Sequence, residues 1–128
     1  MPHFTFEYSA NLDDQIDVQG LCDATLEAAL ATGLFEVGAV RVRAIRCDHY
    51  AIADRLAQNA FLDLSIRVGA GRSPEACKQA GEAVFAAVAG YCAHLLEAPH
   101  FAMSVELREI NAALSWKRNA MHARLRGS

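Results

Sequence analysis

Four stretches of the chain alternate apolar and polar side chains with a period of two. Over residues 3–8, Phe4, Phe6 and Tyr8 oppose His3, Thr5 and Glu7. Over residues 38–46, Val40, Val42 and Ala44 oppose Arg41, Arg43 and Ile45. Over residues 60–68, Leu62, Leu64, Ile66 and Val68 oppose Asp63, Ser65 and Arg67. Over residues 101–108, Phe101, Met103, Val105 and Leu107 oppose Ala102, Ser104, Glu106 and Arg108. Successive side chains of a strand point to opposite faces, so each stretch predicts a strand with one buried face. Between the first two, the spacing changes to three and four: Val18, Leu21, Cys22, Thr25, Leu26, Ala29 and Leu30. This predicts a helix from about Asp17, with Gly33 placed for the left-handed position after its end. Between the last two, Ser73-Pro74-Glu75 supplies an N-cap, a proline at the first helical position and an acid in the first turn. That helix is expected to run to about Glu97, with Cys77, Ala80, Val84, Val88, Tyr91 or Cys92, and Leu95 inward, until Ala98-Pro99 stops it. Residues 9–16 and 47–59 read as loops, and the tail at 110–126 holds Leu114, Trp116 and Met121 without a sustained period.

The order is strand, helix, strand, twice. A helix linking two strands of one sheet implies that they run parallel. The expected fold is therefore α/β (an α+β sandwich), with tandem β-α-β units forming a four-stranded mixed sheet and two helices on one face. One domain covers residues 1–126, with halves at about 2–46 and 60–108 and a tail at 109–126. Gly127-Ser128 reads as a cloning remnant. Helices on one face leave the other open, and Phe4, Phe6 and Tyr8, or their strand partners, need a cover there. Burial by other subunits is the expected solution.

Composition narrows the function classes. The 128 residues are 53% hydrophobic, and no apolar run approaches a bilayer-spanning length. The start, Met-Pro-His-Phe-Thr-Phe-Glu, has neither a basic region nor a long apolar one, so no secretory signal is expected and the cytoplasm is the expected location. A net charge of −3 argues against nucleic acid as a default partner, while leaving room for a local basic pocket. The cysteines, Cys22, Cys47, Cys77 and Cys92, and the five dispersed histidines show no metal-type spacing. They are expected to be free thiols and ordinary histidines, with no metal or cofactor.

Three features carry candidate chemistry. Pro2 becomes a secondary amine if Met1 is removed. Burial and nearby cations lower an amine's pKa, and a neutral amine near pH 7 can accept and return a proton. Composition alone favours a plain N-terminal proline at this position. Gly69-Ala70-Gly71-Arg72-Ser73-Pro74 places an arginine just before a helix N-terminus, as an anion site or as a capping turn with a solvated arginine. Arg41 and Arg43 share one face of the second strand. They reach solvent, pair with acids such as Glu7 or Glu106, or line an anion pocket.

Met-Pro-His-Phe at the start, Arg41-Val-Arg43-Ala after Ala31-Thr-Gly-Leu-Phe35, Gly69-Ala-Gly-Arg72-Ser with Gln79-Ala-Gly81-Glu82, and Trp116-Lys117-Arg118-Asn119-Ala-Met-His122 together resemble the 5-carboxymethyl-2-hydroxymuconate isomerase family of the tautomerase superfamily. The resemblance runs over nearly the whole chain, and the second half alone also resembles the shorter 4-oxalocrotonate tautomerases. It implies a homotrimer, an isomerase without cofactor, and a small di- or tricarboxylate enol as substrate. It implies Pro2 as acid/base, with Arg72 and Arg41 holding substrate carboxylates and polarising the 2-oxo group. Phe4 is then a candidate apolar wall, and Trp116 a candidate cover, reaching the pocket on a neighbour's tail. The match is weakest over residues 44–60, where a change of substrate would be written. The alternatives are a superfamily enzyme for another 2-hydroxydienoate or an enol-pyruvate, and a non-catalytic trimeric module that binds a small acid.

Overall fold

A computed structural model describes residues 1–127, and Ser128 lies outside the described residues. The strands are β1 (His3–Ser9), β2 (Arg41–Cys47), β3 (Ala60–Val68) and β4 (Phe101–Glu109). The helices are α1 (Val18–Ala31), α2 (Pro74–Tyr91), the short α3 (Ala93–Leu96) and α4 (Ala120–Arg126). The sheet order is β2-β1-β3-β4. β1 is parallel to β2, β3 is parallel to β4, and the two halves join by the antiparallel β1–β3 pair. This is the expected mixed sheet of two β-α-β units.

The alternation of the strands is used as written, but the faces are assigned differently from the sequence reading. Phe4, Phe6 and Tyr8 pair in register with Ile66, Leu64 and Leu62, and all six are buried in the core with Leu21, Ala29, Val84 and Val88 of the helices. They therefore need no subunit to cover them. The open face carries the polar set instead, including Arg41, His3, Arg67, Glu7, Asp63 and Glu106, as the period of two requires.

Local signals set most boundaries. Gly33 has φ +74°, the left-handed conformation that ends α1. Ser73 caps α2, its hydroxyl accepting from the Ala76 N–H at 3.1 Å, and Pro74 is the first residue of the helix. α2 stops at Tyr91 rather than continuing to Glu97. Gly90, the weakest helix former of its last turn, precedes the break at Cys92, and the four-residue α3 resumes beyond it. Residues Val37–Ala39 form a 3-10 turn, so β2 starts at Arg41 and not at 38. The tail resolves into a 3-10 turn at Ala112–Leu114 and the helix α4, with Gly127 at its C-cap. α4 is held by long-range contacts that no periodicity announces: Asn119 donates to the Gly38 carbonyl at 2.7 Å, and Arg126 grips the Glu36 carboxylate with two nitrogens.

Candidate active site

Pairing in the sheet brings the chain's start to the ends of β2 and β3. His3 lies opposite Arg41 on one side and Arg67 on the other. The Arg41 N–H donates to the Pro2 carbonyl at 3.3 Å, and Pro2 is fully buried. A cavity of about 400 Å³ opens there, lined by Met1, His3, Arg67, Gly69, Ala70, Ile110, Ala112, Ser115, Trp116 and Lys117. No Asp or Glu is among these lining residues.

The terminal amine is ringed by cations. Burial, a hydrogen bond from Lys117 and the charges of Lys117, Arg72 and Arg41 together push the Met1 amine down from 8.0 to about 6. His3 is lowered for related reasons: burial first, then Arg67, Arg43 and Arg41. An arginine can only donate, so the 3.2 Å contact from Arg43 makes the His3 Nδ1 an acceptor. Arg43 thus meets a histidine, and neither Glu7 nor Glu106 pairs with it among the described residues; Glu106 is taken by Arg108.

Arg72 and Arg41 are fixed without being neutralised. Arg72 donates from Nη1 to the Gly69 carbonyl at 3.0 Å and from Nη2 to the Leu34 carbonyl at 3.1 Å, and its guanidinium lies 4.9 Å from the centre of the Phe35 ring. Arg41 Nη1 donates to the Ala39 carbonyl at 2.8 Å. Carbonyls orient a guanidinium but leave its full charge to act on a ligand. Gly71, at φ +109°, forms the turn that folds Arg72 back over Phe35. The N-terminus of α2 does not line this cavity, and Ser73 takes its Ala76 and Cys77 N–H groups. The anion-binding capacity of this segment therefore lies in the Arg72 side chain rather than in the helix end.

The sequence-based candidates are thus brought together unevenly. The charges of Arg41 and Arg72 reach the terminal amine, but neither of them lines the cavity, nor does Pro2; Trp116 does, within its own chain. Phe4 does not line it. At 1% exposure it lies in the core, edge-on to Phe35 at 6.3 Å, and so supports the ring that carries Arg72. Arg67 and Lys117 were missed. Lys117 stood beside Trp116 in a motif already singled out, whereas Arg67 gains meaning only from the β1–β3 register. The loop at 48–59 leaves β2 beyond Cys47, paired with Ser9, so within one chain it sits at the far end of the sheet from His3 and the cavity. His49 lies in that loop, and His122 packs near Glu36 and Gly38 outside the cavity.

Comparison with known proteins places the chain first by class. The solved structure of a fused 4-OT symmetric trimer superimposes with a TM-score of 0.58 at 15% identity, covering 94% of this chain and 98% of that one. This likeness is one of fold, the tandem β-α-β architecture. Closer similarity comes from the 5-carboxymethyl-2-hydroxymuconate Delta-isomerase of Escherichia coli, 35% identical over 123 residues, which are 96% of this chain and 98% of that protein. The crystal structure of a 5-carboxymethyl-2-hydroxymuconate isomerase from Deinococcus radiodurans R1 is 37% identical, with a TM-score of 0.89 over 96% of this chain and 92% of that one. The chain belongs to the 5-carboxymethyl-2-hydroxymuconate isomerase family, whose model matches residues 2–125, and it is an isomerase. No described helix is long and apolar enough to cross a membrane.

Proposed function

We propose that this isomerase converts 5-carboxymethyl-2-hydroxymuconate into its conjugated 2-oxo isomer, a step of homoprotocatechuate catabolism in the cytoplasm, with the Pro2 amine as acid/base once Met1 is removed. The observation that carries this reading is the cavity at the chain's start, lined by Met1, Arg67 and Lys117 without an acid, where burial, Lys117, Arg72 and Arg41 lower the terminal amine, in a chain of this family. Without Met1, the same burial and the same cations act on the Pro2 nitrogen one residue inward.

The chemistry follows from those charges. The neutral amine takes the proton of the 2-hydroxyl group. The O–H electrons form the 2-oxo group, the double bonds shift along the diene, and the prolyl ammonium delivers a proton to carbon. The amine is regenerated, and no redox partner is needed. Negative charge grows on the 2-oxygen and the adjacent carboxylate, where Arg72, already fixed by two carbonyls, stabilises it without rearranging. Arg41 holds a distal carboxylate and keeps the amine on the correct carbon. Phe4 acts at one remove, by packing Phe35 under Arg72.

We also infer a homotrimer. Leu114 is 69% exposed and Trp116 85% exposed on the tail segment. Phe85, 47% exposed, edges an apolar groove with Cys77, Gly81, Val105 and Leu107 beside the edge strand β4. Surfaces of this kind favour burial against further copies.

The test is an ultraviolet assay of dienol-to-ketone conversion on protein whose loss of Met1 has been verified by intact mass. Pro2→Ala is expected to lower kcat by about 10²-fold or more. No conversion by protein with a free prolyl amine would remove the substrate assignment.

A further inference from the structure

At the cavity end of the sheet, register places Arg41, His3, Arg67 and Arg108 in one row across the open face of all four strands. Like charges directly opposed on neighbouring strands repel, and no carboxylate interrupts this row. Three members have protein partners. Arg41 is tied to the Ala39 carbonyl, His3 accepts from Arg43, and Arg108 reaches Glu106 and Ser65. Arg67 makes no hydrogen bond or ion pair among the described residues, and it lines the cavity. Lys117 lines the same cavity, with the terminal amine as its neighbour and no carboxylate partner among the described residues. Trp116 and Ile110 complete an apolar wall beside these two cations. A concave, partly apolar wall with two uncompensated cations and no acid is built to take an anion.

We propose that Arg67, with Lys117 between it and the amine, forms a carboxylate subsite additional to Arg72 and Arg41, and that Arg67 makes the enzyme select enols bearing a third carboxylate. This rests on the isomerase reading for its substrate, since 5-carboxymethyl-2-hydroxymuconate carries a carboxymethyl arm that 2-hydroxymuconate lacks.

The test uses Met1-free protein and the fluorescence of Trp116, the single tryptophan. Wild type, Arg67→Gln, Arg67→Lys and Lys117→Gln are titrated with propane-1,2,3-tricarboxylate and with glutarate. Arg67→Gln is expected to weaken the tricarboxylate by roughly tenfold or more and glutarate by less than about threefold, with Lys117→Gln acting in the same direction. Arg67→Lys is expected to recover part of the loss. In turnover, Arg67→Gln should raise KM for the tricarboxylate dienol by roughly tenfold, with kcat changing less, and leave KM for 2-hydroxymuconate near that of wild type. Equal weakening of both acids, no weakening, or no tricarboxylate binding by wild type would each overturn the subsite. Selective loss of tricarboxylate binding in a protein that isomerises neither dienol would uphold the subsite and remove the isomerisation reading instead.

Discussion

In the proposed mechanism Arg72 acts with its full charge, because the Gly69 and Leu34 carbonyls that hold it over the Phe35 ring do not neutralise it and leave little to reorganise as the oxyanion grows. Arg72→Ala is therefore expected to lower kcat by about 10²-fold or more, whereas Arg41→Ala should mainly raise KM. Steady-state kinetics of the two variants separate the roles, and a fall in kcat alone for Arg41→Ala would reverse them. The amine gives a pH signature. A base must be neutral to act, so kcat/KM should fall as pH drops through a value below 8, since burial and the cations that lower the Met1 amine lie beside Pro2. An acidic limb centred at 8 would mean that the cations do not act on Pro2. Arg41 and Arg72 were candidates from the sequence because each sits in a short motif. Arg67 was not, because one polar position on β3 looks like any other until His3 is known to lie opposite it.

Elements whose period coincides with their burial were read correctly, and those held by distant partners were not. β3, with Leu62, Leu64, Ile66 and Val68 all buried, spans the expected residues without shift. α4 escaped because its seven residues depend on Glu36 and Gly38, about 80 to 90 positions away. Alternation also left open which face of the sheet the helices would cover, and so Phe4, Phe6 and Tyr8 were offered to other subunits when they are the core. Gly20 in α1 shows a constraint between elements. The Tyr91 hydroxyl of α2 donates to the Asp17 carbonyl at 2.8 Å, and a Cβ at position 20 would collide with that hydroxyl and lie 2.8 Å from the Asp17 carboxylate. Gly20→Ala should thus gain little of the roughly 1 kcal/mol that alanine's better helix propensity offers, because the Tyr91 hydroxyl must shift from its bond. A higher denaturation midpoint in urea would show that Tyr91 yields freely.

At the scale of the whole molecule, two β-α-β halves bring a chain terminus, two strand ends and the tail to one cavity. The exposed Leu114 and Trp116 and the groove beside β4 are expected to be buried between copies, so sedimentation equilibrium should return three times the chain mass of 13.9 kDa. A monomer at assay concentration would require the tail to act within its own chain. The central claim is that the freed prolyl nitrogen does the chemistry, and it is tested most directly by comparing two preparations that differ at one peptide bond. Protein with Met1 removed and protein retaining Met1, each verified by intact mass, are assayed side by side with 5-carboxymethyl-2-hydroxymuconate. The expected result is rapid isomerisation by the first and a rate lower by about 10²-fold or more for the second, whose Pro2 nitrogen is an amide with its lone pair delocalised into the carbonyl and so not basic. Equal rates from both would contradict the prolyl amine as the acid/base.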